Sequence, residues 1–120
     1  MGATQETTTL IAGDKVDGTT VYSPDGEKIG TIHDVMIDKA TGKVAYAVMS
    51  FGGFLGIGEH YHPLPWSTLR YDVDSKGYLV NVTSDELKSA PHFAADDQPD
   101  WGRDYETRVH DYYRTPYYWV

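Results

Sequence analysis

The chain contains no cysteine. That excludes a disulfide framework, a thiol nucleophile and a Cys-ligated zinc site. It has no long apolar run either: a membrane-crossing helix needs roughly 20 such residues, and no stretch approaches that. Basic residues are few, ten Lys and Arg against eighteen Asp and Glu in 120 residues, for a formal net charge of −8 and a pI near 4.8. They are scattered rather than clustered. Phosphate backbones and anionic lipid surfaces are met by clusters of Lys and Arg, so neither nucleic acid nor simple attraction to a membrane is expected. Residues 1–9 lack the basic start and apolar core of a signal peptide. Glu6 stands where N-myristoylation requires Ser or Thr. The expectation is a cytoplasmic protein.

Catalytic and cofactor signatures are missing as well. Gly53, Gly56 and Gly58 do not follow the dinucleotide-binding order, and no helix is predicted after them. A P-loop ending and a Gly-x-Ser-x-Gly elbow are absent. Asp72, Asp74 and Gly77 resemble the start of a calcium loop, but Lys76 and Thr83 occupy positions that should ligate. A hairpin turn is the better reading. No catalytic residue, metal or cofactor is expected.

Glycine and aromatic residues are present in telling places. Ser50 to Glu59 interleaves four glycines with Phe54, Leu55 and Ile57. Glycine turns where a Cβ would clash, so this is a sharply turned, apolar connection between two strands. Tyrosine occurs ten times and crowds toward the C-terminus.

The elements follow from period and turn chemistry. Residues 1–9 read as a disordered lead and 10–92 as one domain. Val16 and Val21-Tyr22 suggest a first strand, and Ser23 to Gly26 a turn with glycine in the left-handed position. Lys28 to Asp38 is the first long strand. Its apolar parity slips among Ile29, Ile32 and Val35, which predicts a bulge near Gly30 or His33. After a turn at Lys39–Gly42 comes Lys43 to Phe51, apolar on both faces, so a helix or a second subunit should cover it. Glu59 to Leu64 is the third long strand. Pro65 to Leu69 predicts a helical turn, and Arg70–Val73 with Tyr78–Val82 a hairpin. Thr83 and Glu86 match a capping box opening a helix over Ser84–Ala90. Residues 92–102 read as a polar linker. Tyr105, Val109, Tyr112 and Tyr113 follow helical spacing, predicting an amphipathic helix over Arg103–Arg114, and an aromatic tail follows it. The fold class is all-β: a small antiparallel barrel with short helical turns and a C-terminal helical, aromatic-rich extension.

These residues resemble the PRC-barrel domain. Gly26-Glu27-Lys28-Ile29-Gly30 leads into Ile32-His33-Asp34-Val35-Met36-Ile37-Asp38; then come Thr41 to Val48, the Phe51–Gly58 run, Pro65 to Leu69, and Leu87 with Ala90-Pro91. The likeness covers roughly residues 13–92. It implies a PRC-type β-barrel of the stand-alone bacterial kind, used as an interaction module. In photosynthetic reaction-centre H subunits such a domain supports proton delivery at the membrane face, and in the ribosome-maturation factor RimM it binds a ribosomal protein. The sequence shows neither the transmembrane helix of the first nor the preceding domain of the second, so neither function is expected to carry over.

The expected function is therefore a non-enzymatic interaction or scaffold module, self-associating as a homodimer and holding an unidentified protein partner. Its expected contact residues are Phe54, Leu55, Ile57, Tyr61, Trp66, Tyr112, Tyr113, Tyr117 and Trp119, chosen because Tyr and Trp are favoured at interfaces. One alternative is a reaction-centre or electron-transport accessory that assists proton transfer through His33, Asp34, His60 and His62. Another is a small-ligand-binding barrel.

Overall fold

The computed structural model describes residues 10–51, 60–94 and 96–120. The expected lead, 1–9, and the glycine run with Phe54, Leu55 and Ile57 lie outside the described residues. The chain forms a helical turn α1 (Gly13–Val16), then strands β1 (Thr20–Tyr22), β2 (Lys28–Ile37), β3 (Val44–Phe51) and β4 (His60–Pro65). A 3₁₀ turn at Trp66–Thr68 leads to β5 (Leu69–Asp72), β6 (Gly77–Val80), helix α2 (Ser84–Lys88), β7 (Phe93–Ala94) and helix α3 (Arg103–Tyr113).

The strands make one sheet in the order β5-β6-β1-β2-β3-β4-β7. Neighbours are antiparallel except β1 and β6, which run parallel. This corrects the closed antiparallel barrel expected from the sequence: among the described residues the sheet is mixed, and its end strands β5 and β7 are not paired with each other. Parallel neighbours need a long crossover, which β2 to β5 supply. Gly77 permits the junction, because a Cβ there would stand 2.7 Å from the Thr20 carbonyl oxygen and from the Tyr22 ring.

Strand β2 carries the irregularity that its slipping parity predicts. Its register against β3 shifts between Ile32 and Asp34, at His33, and its register against β1 skips Ile29. The two bulges let Ile29 and Ile32 enter the same core. In β3, Ala45 through Met49 are all buried. Ala47 and Met49 join Val21, Ile32 and Leu64 in the main core, which Val16 of α1 and Leu87 of α2 complete. On the opposite face Tyr46 packs with Tyr105 and Val109 of α3, and Val48 with Tyr61 and Phe93. The two-sided cover read from the sequence is thus a helix of the same chain.

Local signals explain most element ends. Thr83 Oγ1 accepts from the Glu86 N–H at 3.2 Å while Glu86 Oε1 accepts from the Thr83 N–H at 2.8 Å, the reciprocal cap that starts a helix. Gly26 takes its turn with φ +88°. Val16, expected in a strand, closes a helical turn with its N–H on the Ala12 carbonyl at 3.2 Å. The stretch read as a linker contributes β7 and Trp101, whose ring meets Tyr46 at 5.5 Å and Tyr105 at 5.6 Å. Among the described residues no helix is long and apolar enough to cross a membrane.

Candidate interaction surface

Helix α3 starts where Asp100 accepts the Gly102 N–H at 2.9 Å. Asp104 and Glu106 in its first turn complement the positive end of the helix dipole. It stops at Arg114, which takes the left-handed conformation with φ 56°. The Arg114 and Thr115 N–H groups bond back to the carbonyls of Asp111 and His110 at 3.2 and 3.1 Å. That reversal folds residues 115–120 back along the helix. Tyr117 and Trp119 stack with centroids 4.8 Å apart and planes 5° from parallel. The Arg103 guanidinium lies 4.0 Å over the Trp119 ring, a favourable cation–π distance. Tyr117 Oη donates to Asp111 at 2.6 Å. The sequence leaves open whether the tail packs on its own chain; here it does.

Beneath the tail sits a buried carboxylate, Glu106. Tyr46 Oη donates to its Oε1 at 3.0 Å, Tyr118 Oη donates to the same oxygen, and Arg103 stands 3.5 Å from Oε2. A buried charge needs this much company. Burial, then the Glu106 charge, pushes the Tyr46 phenol far up. Burial and the bond to Glu106 push Tyr118 up to about 12. Both therefore remain donors through the neutral range. His110, also buried, donates from Nδ1 to the Glu106 carbonyl at 2.8 Å and meets the Trp119 ring at 5.1 Å.

Over this network lies a groove of about 510 Å³, lined by Met36, Ile37, Tyr46, Trp101, Glu106 and Tyr118 among others. It separates the β2–β3 hairpin from the tail. Ile37 is 56% exposed, Tyr118 38% and the terminal Val120 96%.

The expected contact residues fall into two groups. Tyr61 is buried against Phe93, with ring centroids 5.8 Å apart. Trp66 is half-buried, meeting Tyr78 at 5.4 Å, and Tyr113 is half-buried against the cores, where burial raises its phenol. These three serve the fold. Tyr112 is exposed and donates to the Glu86 carbonyl across to α2. Tyr117 and Trp119 form the tail stack. The histidine set does not gather: His33 meets the Tyr61 ring at 4.6 Å, tilted by 36°, whereas His60 and His62, on the other face of β4, meet His92 at 4.8 and 5.1 Å. Asp34 turns to its own neighbour, accepting the Val35 N–H at 2.8 Å. Sequence reasoning missed Glu106, His110 and His92. The available signal for the first two is a polar pair four residues apart, each directly following one of the apolar positions 105 and 109.

Residues 9–87 match the PRC-barrel domain. The chain belongs to the PRC-barrel domain family. A protein of Deinococcus radiodurans, described as uncharacterized, is 32% identical over 79 residues, which are 66% of this chain and 28% of that relative. The chain thus spans under a third of the length of the relative it matches. The PRC-barrel match ends before Pro91. One wall of the groove, the β2–β3 hairpin, belongs to the matched domain, and the other, α3 with the tail, lies beyond it.

Proposed function

We propose that this PRC-barrel protein is a non-enzymatic interaction module that self-associates as a homodimer through the face built by the β2–β3 hairpin and the C-terminal extension. The observation that carries this reading is the apolar groove edged by exposed Ile37 and Tyr118, with the exposed Val120 ending the adjacent tail. Large exposed apolar side chains that share one surface mark contact sites more than singly scattered ones do. The network under the groove fixes Tyr46 and Tyr118, so the surface is preorganised and little ordering cost falls on association. A stable interface buries about 800 Å² per partner, more than the groove alone offers, so the flanking tail belongs to the same contact. On the same reading, Phe54, Leu55 and Ile57 of the glycine run are further contact residues.

Sedimentation velocity over a wide concentration range tests this. Wild type should be dimeric, and Ile37→Ser with Val120→Ser should be monomeric, since neither residue supports the Glu106 network. A parallel capture experiment from lysate compares wild type with Phe54→Ser/Leu55→Ser to locate any further partner on the glycine run. A wild-type chain that is monomeric at every concentration would remove the homodimer reading.

A further inference from the structure

At the end of the sheet where β7 joins β4, three imidazoles form a row. His92 stacks on His62 with centroids 5.1 Å apart and planes 26° from parallel, and it meets His60 edge-on at 4.8 Å. His62 is 2% exposed, and the Phe51 ring closes another side at 5.2 Å. Its Nε2 lies 2.9 Å from the Leu87 carbonyl, which can only accept, so Nε2 carries the proton and Nδ1 a lone pair. Nδ1 is buried with no hydrogen-bond partner among the described residues. His92 donates from Nδ1 to the Ala90 carbonyl at 2.9 Å. Two residues, Phe93 and Ala94, pair with Tyr61 and His60 and constitute all of β7.

We propose that this row is an acid-released latch: neutral rings hold residues 90–94 on the edge of β4, and protonation of the row frees β7. Among the described residues, the groups facing His62 offer no counter-charge. Strand β4 contributes His60, the segment before β7 contributes His92, α2 presents the Leu87 carbonyl, and β3 presents Phe51. Helix α3 brings Arg108 and Asp111 to the groove that His92 shares, one of each sign. Burial, with the like charges of His92 and His60 behind it, holds His62 neutral down to about pH 4. A proton added to the row therefore puts charge beside a ring that cannot accept its own, since Nδ1–H would find no acceptor. His60 and His92 are exposed, so the row meets solvent on its open side while His62 lies behind it. A two-residue strand has few bonds with which to resist. Its release loosens Phe93 from Val48 and Tyr61, and with it the path to Trp101 and α3.

Hydrogen exchange of the full chain near pH 7 and near pH 5, normalised for intrinsic exchange, tests the latch. In wild type, protection at Phe93 and Ala94 should fall about tenfold more than protection in β3. His92→Gln and His60→Gln, each made separately, should abolish that excess while keeping β7 docked at neutral pH. Equal loss in β7 and β3, or the same excess loss in both variants, would overturn the proposal.

Discussion

At the scale of single residues, the decisive feature is that one carboxylate organises the whole extension. Glu106 gathers Tyr46 from the sheet, Tyr118 from the tail and Arg103 from its own helix. No periodicity could reveal this. Glu106 reads as an ordinary exposed helix residue until a hydroxyl 60 positions away arrives over it. Tyr46→Phe keeps the ring and removes one donor, so the carboxylate loses part of its compensation. The expected cost is about 1–3 kcal/mol by urea denaturation; an unchanged midpoint would mean that Arg103 and Tyr118 suffice. His62 makes a second residue-scale prediction. Its pKa in the folded chain, about 4, lies below the ordinary 6.5 because burial opposes the charge. Between those values the unfolded chain holds the proton and the folded chain does not, so stability rises with pH across the window. The contribution is complete above pH 6.5 and is lost as the pH falls to 4, on the order of 3 kcal/mol in all. His62→Phe should flatten the stability-against-pH curve there, and an unaltered slope would assign the titration to another group.

At the scale of elements, the sequence is most readable where the physics is local. The Thr83–Glu86 cap, the glycine turn at Gly26 and the helical turn after Pro65 each depend on neighbours within a few positions, and each stands where expected. The bulge in β2 was legible because two-residue alternation leaves a visible fault when broken. What was not legible is non-local. The parallel pairing of β1 with β6 joins segments more than 50 residues apart. Strand β7 is too short to show any period. The buried face of α3 is also turned from the expected one: it includes Glu106 and His110 and leaves Tyr112 outside, because the Tyr46 hydroxyl makes polar burial affordable there. Gly30 tests how tightly the central strands fit. A Cβ at that position would lie 2.3 Å from the Ser50 carbonyl oxygen and 2.9 Å from the Met49 side chain. The methionine can move; the backbone of β3 cannot without parting from β2. Gly30→Ala should therefore destabilise the chain by roughly 1–3 kcal/mol or more, read as a lower thermal midpoint. A neutral result would show that the β2 bulge can relax.

At the scale of the molecule, the matched PRC-barrel domain and the extension act as one surface-forming unit. The sheet has two apolar faces, and α1 and α2 complete the core on only one of them. Without β7, Trp101 and α3, the residues Tyr46, Val48 and Tyr61 would lose their cover. The extension therefore converts a two-faced sheet into a closed core and, at its margin, leaves Ile37 and Tyr118 outward. Self-association there must act against the chain's own charge, a formal −8 per copy, which disfavours bringing two copies together. That opposition gives the proposed dimer a distinctive salt dependence. Added salt screens like-charge repulsion between protomers, with a screening length of about 10 Å at 0.1 M falling to about 3 Å at 1 M. Burial of Ile37 and the tail is not screened. The dimer should therefore tighten as sodium chloride rises, measured as a falling dissociation constant by sedimentation equilibrium. An interface built on ion pairs would weaken instead, and that outcome would move the contact away from the apolar groove to the charged surfaces around it.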